Sequence, residues 1–183
     1  MEAINFDTFS IRPLNIEDSN NFFNLIDQNR SRLEDFFTVT ISRTKTLEDT
    51  KVYIEEITKK AAAKIYLPYL IVNNKNNGLI GFIDVKNIDW TIPIGELGFF
   101  MDKEYAGKGI FTKALKAFID FCFANYGFRK LFLRTHESNS SARRVAENCG
   151  FEMERKLRRD HKTTRGDLVD LLYYGKILNI IKP

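Results

Sequence analysis

Two glycines flank a lysine at Gly107-Lys108-Gly109, directly ahead of a stretch with helical periodicity. Glycine lets a backbone approach a ligand closely. The first amides of a helix have no intrahelical partner and lie at the positive end of its dipole. Together these features make a cradle for a phosphate or pyrophosphate. Other phosphate motifs fit worse: Walker A needs Gly-Lys-Ser/Thr, but Lys108 is followed by Gly109, and the dinucleotide fingerprint needs a third glycine where Thr112 stands. Gly-Lys-Gly alone also fits a flexible lead into a helix. A second candidate is Glu96. Period-2 alternation puts Ile92, Ile94, Glu96, Gly98 and Phe100 on one strand face. A carboxylate among apolar neighbours is raised toward the range of a general base; the bland alternative is a solvated glutamate on a half-exposed sheet.

The remaining polar candidates carry less. Cys122 and Cys149 could pair with His136 or His161 as a nucleophile, but both cysteines fall at packing positions. His136 follows a strand and fits a plain loop histidine. Asp84, Asp89 and Trp90 lie in or near one turn and could line a pocket. The basic run Arg155-Lys-Leu-Arg-Arg invites a nucleic-acid partner. Alternation, however, spreads its charge over both strand faces, as on a solvated edge strand.

The elements that must position these residues are legible from periodicity. Residues 7–13 alternate and stop at Pro13, a short strand. Asn15-Ile-Glu-Asp18 and Thr46-x-x-Asp49 are capping signals for two helices, with a loop between them through Arg43. Three strands follow at 67–72, 79–86 and 92–101, an antiparallel meander. Phe111, Leu115, Phe118, Cys122 and Tyr126 share one helical face, and Gly127 is a stop signal. A strand at 131–135, a helix at 138–148 and strands at 151–159 and 168–177 complete the chain, with a turn at Arg165-Gly-Asp. The order β α α β β β α β α β β is α+β in class.

Length and composition set the frame. A chain of 183 residues predicts one domain, 1–183, with a sizeable core to which sixteen Phe contribute. Charged residues at 28% against 44% hydrophobic argue against disorder. A net charge of +4 suits an anionic small molecule as well as nucleic acid. No segment has the roughly 18 uncharged apolar residues of a membrane span, and the first residues do not form a signal peptide. Two Cys and two His leave little for a metal site, so none is expected, and a reducing, cytoplasmic setting is the default.

Beyond the glycine loop runs His136-Glu-Ser-Asn-Ser-Ser-Ala-Arg-Arg-Val-Ala-Glu-Asn-Cys-Gly-Phe151. With it the chain resembles the GNAT acetyltransferase superfamily, in particular its RimJ/RimL type of ribosomal-protein N-terminal acetyltransferases. The marks are Glu96 on the fourth strand, the loop Glu104 through Gly109, Asn139 before a helix, and Gly150-Phe151. Ile11-Arg-Pro-Leu, Asn29-Arg30 and Thr46-Leu-Glu-Asp-Thr50 also resemble that branch, so the similarity spans essentially the whole chain.

The resemblance implies a mixed, mostly antiparallel sheet whose fourth and fifth strands splay near Phe99–Met101 and Leu133–Thr135. Acetyl-CoA would lie in the gap as co-substrate. Backbone of Phe99, Phe100 and Met101 would pair with its pantetheine arm as an added strand does. Amides of Ala106, Gly107, Lys108, Gly109, Ile110, Phe111 and Thr112 would hold the pyrophosphate, and Asn139 would contact the arm. Gly98 is expected to mark a bulge. Glu104 and Ala106 replace the usual Arg/Gln and Gln of the loop, Ala146 replaces the tyrosine general acid, and Ala142 replaces a serine; Ser138, Ser140 and Ser141 are nearby substitutes, of which Ser141 is the choice.

The implied reaction is direct attack of a primary amine on the thioester. A lysine side chain titrates at roughly 10.4 but an α-amine at about 7.7–8.0, so the latter is already substantially neutral. Glu96 is the expected base, acting through water, with a backbone amide near Phe99 or Phe100 on the oxyanion. The expected acceptor is a protein N-terminus, ribosomal or other. A polyamine, amino sugar or amino-acid-like compound is the alternative with the same chemistry. A non-catalytic CoA- or protein-binding module and an RNA-associated protein are alternatives of other classes. Direct nucleic-acid binding is not expected, and a homodimer fits the resemblance.

Overall fold

The structure is a computed structural model and describes residues 3–178. Its strands are β1 (Ile4–Phe6), β2 (Phe9–Pro13), β3 (Leu67–Asn73), β4 (Gly78–Asp89), β5 (Ile94–Met101), β6 (Lys130–His136), β7 (Glu152–Lys162) and β8 (Leu168–Ile177). They form one sheet in the order β1-β2-β3-β4-β5-β6-β8-β7. The helices are α1 (Ser19–Leu33), α2 (Thr38–Arg43), α3 (Leu47–Ala62), α4 (Ile110–Phe121) and α5 (Ser140–Asn148).

Strand alternation divides the core into two layers. Ile71, Ile83, Leu97 and Phe118 belong to the layer that buries α4. Leu70, Phe82 and Phe100 belong to the layer that buries Phe22 of α1 and Ile54 of α3. Phe22, Phe82 and Phe118 are fully buried, each worth about 2–3 kcal/mol of removed apolar surface. The expected caps form: Thr46 and Asp49 exchange side-chain and backbone hydrogen bonds at 3.1 Å, and the Asn15 N–H reaches the Asp18 carboxylate at 3.1 Å.

Four local expectations need correction. The first strand starts at Phe9, because Asp7 turns the chain with a φ of 45° and Ile4–Phe6 pairs back as β1. The loop before Arg43 contains α2, whose N-cap, Phe37, makes no side-chain cap bond and so carries no signal. The run at 151–159 continues to Lys162 through a kink at Arg159, where φ is 51°. Gly98 sits in regular register opposite Asp84, and the β4–β5 bulge lies instead between Lys86 and Asp89. Asn87, at φ 48°, is the residue that takes the left-handed turn there. Gly127 ends a π-type last turn, Cys122–Tyr126, at φ 74°.

β5 and β6 are parallel neighbours, joined through α4. Their pairing covers only Ile94–Glu96 against Lys130–Phe132. Past that point β5 stays paired with β4 through Met101, while β6 follows β8 to His136. The sheet therefore splits on the C-terminal side of Glu96.

Candidate active site

The split leaves one edge of β5 without a strand partner among the described residues. The Asp102 N–H bonds to the Ile80 carbonyl at 2.8 Å, so it faces β4. By alternation the backbone groups of Phe100 and Gly98 face β4 too, and those of Leu97, Phe99 and Met101 turn to the gap. Of the three residues expected to pair with a pantetheine arm, Phe99 and Met101 present backbone to the gap and Phe100 does not. The Phe100 ring packs among Phe37 and Phe82 on the opposite layer, at 5.3 and 5.8 Å between ring centroids.

The glycine loop stands at the far end of the gap. Gly107 and Gly109 have φ of 75° and 73°, and a Cβ at either would meet nothing within 4 Å. The glycines are needed for their dihedrals, and the space beside them is open. Gly109 is the N-cap of α4, without a side-chain cap. The N–H groups of Ile110, Phe111 and Thr112 thus begin the helix with no intrahelical acceptor. Phe111 ties this first turn to β5, its ring 4.8 Å from that of Phe99. Lys108 holds its ammonium 5.6 Å from the Tyr105 ring centroid. Ala106 follows a short helical turn at Lys103–Tyr105.

On the β6 side, Asn139 is the N-cap of α5 and its Oδ1 accepts the Ala142 N–H at 3.1 Å. Its carbonyl oxygen is thereby committed to the helix, and its amide nitrogen is the group left for a ligand. Asn139 and Ala142 line the cleft described next; Ser141 is exposed and does not. Ala146 is wholly buried in the core, with no hydroxyl to offer. Cys122 and Cys149 are free and buried. Burial raises the Cys122 thiol far above its usual range and pushes the Cys149 thiol up to about 11, so neither supplies a thiolate at neutral pH.

The other side of the split opens into a cleft of about 420 Å³. Glu96 lies in its wall, 4% exposed. Its carboxylate is not surrounded by apolar groups as expected. Arg134 donates from Nε and Nη2 at 3.1 and 3.0 Å, and Asn87 donates from Nδ2 at 2.7 Å. The third arm of Arg134 reaches Asp160 at 2.7 Å. The parallel pairing of β6 places Arg134 there, and the β4 bulge brings Asn87. Deeper in, Tyr66 donates to Asp84 Oδ2. Burial raises the Asp84 carboxyl, opposed mainly by Lys86 and the Tyr66 hydroxyl. Burial likewise raises the hydroxyls of Tyr66 and Tyr53. The Phe36, Phe37 and Val39 side chains form an apolar rim. The β7–β8 hairpin roofs the cleft, since His161 Nε2 lies 2.7 Å from the Asp35 carbonyl.

Sequence reasoning missed Arg134, Asn87 and Tyr66. Of the residues noted as possible pocket lining, Asp84 is there. Asp89 instead braces its turn, accepting from Thr91 at 2.6 Å, and Trp90 stacks on Phe128 at 4.9 Å. Among the described residues no group of three or more His, Cys, Asp or Glu is placed to hold a metal ion, and no helix is long and apolar enough to cross a membrane.

Residues 9–152 match the family described as "Acetyltransferase (GNAT) domain". The chain belongs to the GNAT acetyltransferases. "Putative ribosomal N-acetyltransferase YdaF" of Bacillus subtilis (strain 168) is 28% identical over 173 residues, 91% of this chain and 89% of that one. "Probable spermine N(1)-acetyltransferase" of Bacillus subtilis subsp. natto (strain BEST195) is 29% identical over 134 residues, 72% of this chain and 86% of that one. Among solved structures, RimL, the ribosomal L7/L12 alpha-N-protein acetyltransferase in complex with coenzyme A, superposes with a TM-score of 0.89. It is 19% identical and covers 97% of this chain and 98% of its own, which establishes the shared GNAT fold. The protein is an acetyl-CoA-dependent N-acetyltransferase.

Proposed function

We propose that this GNAT enzyme acetylates the α-amine of a protein N-terminus, working in the cytoplasm. The observation that carries the choice is the charge balance of the cleft. Its charged lining is two carboxylates, Asp84 and Glu96, against two cations, Lys86 and Arg134, under the apolar rim of Phe36 and Val39. A polyamine calls for a surplus of carboxylates; a peptide end with one amine and an apolar neighbour does not. The names of the relatives, one ribosomal and one spermine, span both choices.

In this proposal acetyl-CoA lies in the split. Backbone groups of Leu97, Phe99 and Met101 flank its arm, amides of the α4 first turn face its pyrophosphate, and the Asn139 amide nitrogen lies beside it. The N–H of Phe99, which faces the gap, steadies the oxyanion formed on attack. An α-amine needs little help to lose its proton near neutral pH. Glu96 is bound by three hydrogen bonds, so proton removal through it would run by way of a water; its direct work is to fix Arg134 at the split. The leaving thiolate takes its proton from solvent, because Ala146 has no hydroxyl and Ser141 stands outside the cleft.

The test is a competition. Acetyl-CoA is offered with a short peptide bearing a free N-terminus, the same peptide with that end blocked, and spermine, and products are followed by mass spectrometry. Acetylation of the free-ended peptide alone supports the proposal. Acetylation of spermine in preference to the peptide would overturn the choice of acceptor.

A further inference from the structure

The Glu96 carboxylate is fully engaged, but its neighbour across β4 and β5 is not. Asp84 is 3% exposed and pairs in register with Gly98, two residues along β5 from Glu96. Its Oδ2 accepts the Tyr66 hydroxyl. Its Oδ1 is buried and has no hydrogen-bond partner among the described residues. The Gly98 N–H lies near enough to favour the charged form but outside bonding geometry. Buried oxygens are nearly always satisfied, and one that is not points to a missing partner.

A Cβ at Gly98 would come within 2.3 Å of Asp84 Oδ1 and 3.1 Å of Lys86 Nζ. Both groups therefore lie over the Gly98 backbone, at the point where β5 parts from β6. The cleft meets the expected thioester position there.

We infer that Asp84 Oδ1 is the acceptor-binding point of the cleft, receiving an N–H of the incoming amine and holding its nitrogen beside the free edge of β5. This rests on the acetyltransferase reading above and adds the residue that presents the acceptor. The surroundings also select the form of the amine. Lys86 faces Asp84 from the same strand, Glu96 from β5, Tyr53 from α3 and Tyr66 from just before β3; Arg134 and His136 of β6 and His161 of β7 line the same cleft. Lys86 already supplies a cation for the carboxylate, so the group suits a neutral primary amine, the nucleophilic form, better than a second ammonium. The Tyr66 hydroxyl, kept protonated by burial, occupies Oδ2 and leaves Oδ1 over the Gly98 backbone.

The test is calorimetry on the full chain with two probes. One is acetyl-CoA. The other is a conjugate in which an acetyl bridge joins the CoA sulfur to the α-amine of alanine amide, which places an N–H where the acceptor would present one. Wild type should bind the conjugate more tightly than acetyl-CoA. Asp84→Asn and Asp84→Ser should lose about tenfold to a hundredfold of conjugate affinity, as expected for a buried hydrogen bond to a charged group. Their acetyl-CoA affinity should not change, which also shows that they fold. A conjugate no tighter than acetyl-CoA on wild type, or an advantage retained by both variants, would overturn the inference while leaving the enzyme assignment intact. Failure of acetyl-CoA itself to bind wild type would overturn the underlying reading instead.

Discussion

Arg134 holds Glu96 side-on, with Nε and Nη2 at 3.1 and 3.0 Å from the two carboxylate oxygens. The two residues are far apart in sequence, and the pair sits at the point where β5 and β6 cease to be neighbours. It joins the two strands across the start of the split. Glu96 is almost fully buried and the Arg134 side chain is 30% exposed, so the pair is only partly shielded from water.

Removing one partner should therefore cost less than in a dry core. Glu96→Gln is expected to lower stability by about 1–3 kcal/mol, measured as a shift in urea midpoint at constant slope. Arg134→Met in the same background should add less than it does alone, because the charge has already lost its partner. Strict additivity of the two would mean that the pair contributes nothing to holding the strands.

Asp84 gives a pH signature. Burial raises its carboxyl in the folded protein, so the folded state binds a proton more readily than the unfolded chain. Stability on this account falls as pH rises from the unfolded carboxylate range through the folded value. Asp84→Asn removes that dependence. It should stabilise the protein by about 1–3 kcal/mol at pH 7 and leave it little changed below about pH 4. Urea midpoints of both proteins at the two pH values decide the matter; a difference that grows toward low pH would contradict it.

Gly98→Ala tests why that position is bare. The new methyl would meet Asp84 Oδ1 and Lys86 Nζ, two side-chain ends rather than backbone. They can give way, so the expected cost is about 1–3 kcal/mol, with acceptor KM raised and acetyl-CoA affinity kept. Unchanged acceptor kinetics would show that the Asp84 position does not matter to the acceptor.

Much of this architecture was legible in the sequence, and what was missed has physical reasons. Gly107 and Gly109 stood out as a glycine pair just ahead of a helical pattern, and the structure gives them left-handed dihedrals. Thr46 and Asn15 announced their helices through side-chain caps, while α2, whose N-cap is Phe37 without a cap bond, announced nothing. Glu96 stood out through the family resemblance, on a strand face that alternation alone left as ordinary surface, but its partners did not. Arg134 belongs to a strand placed beside β5 only by the parallel crossover, and Asn87 reaches Glu96 only because a bulge turns it. Gly98 was expected to be a bulge because it is a glycine in a strand; its reason is a carboxylate across the sheet, which no local pattern contains.

The apolar rim should govern the acceptor and not the co-substrate. Val39 is 67% exposed and lines the cleft. Val39→Glu is expected to raise the KM for a peptide acceptor by about threefold to tenfold, with stability within about 0.5 kcal/mol of wild type. Steady-state kinetics with peptide and acetyl-CoA varied separately would show it. A change confined to acetyl-CoA would place the acceptor elsewhere.

In the proposed complex acetyl-CoA lies in the split with its pyrophosphate on the α4 first turn. Titration of acetyl-CoA into the wild-type protein and into a Gly107→Glu, Gly109→Glu double variant, followed by calorimetry, tests it most directly. The space beside both glycines is open, so the added carboxylates strain the backbone by about 1–2 kcal/mol each without a clash, and they repel a pyrophosphate. Saturable binding to wild type that the folded variant loses is the predicted result. Equal binding by both proteins, or none by a well-folded wild type, would contradict it.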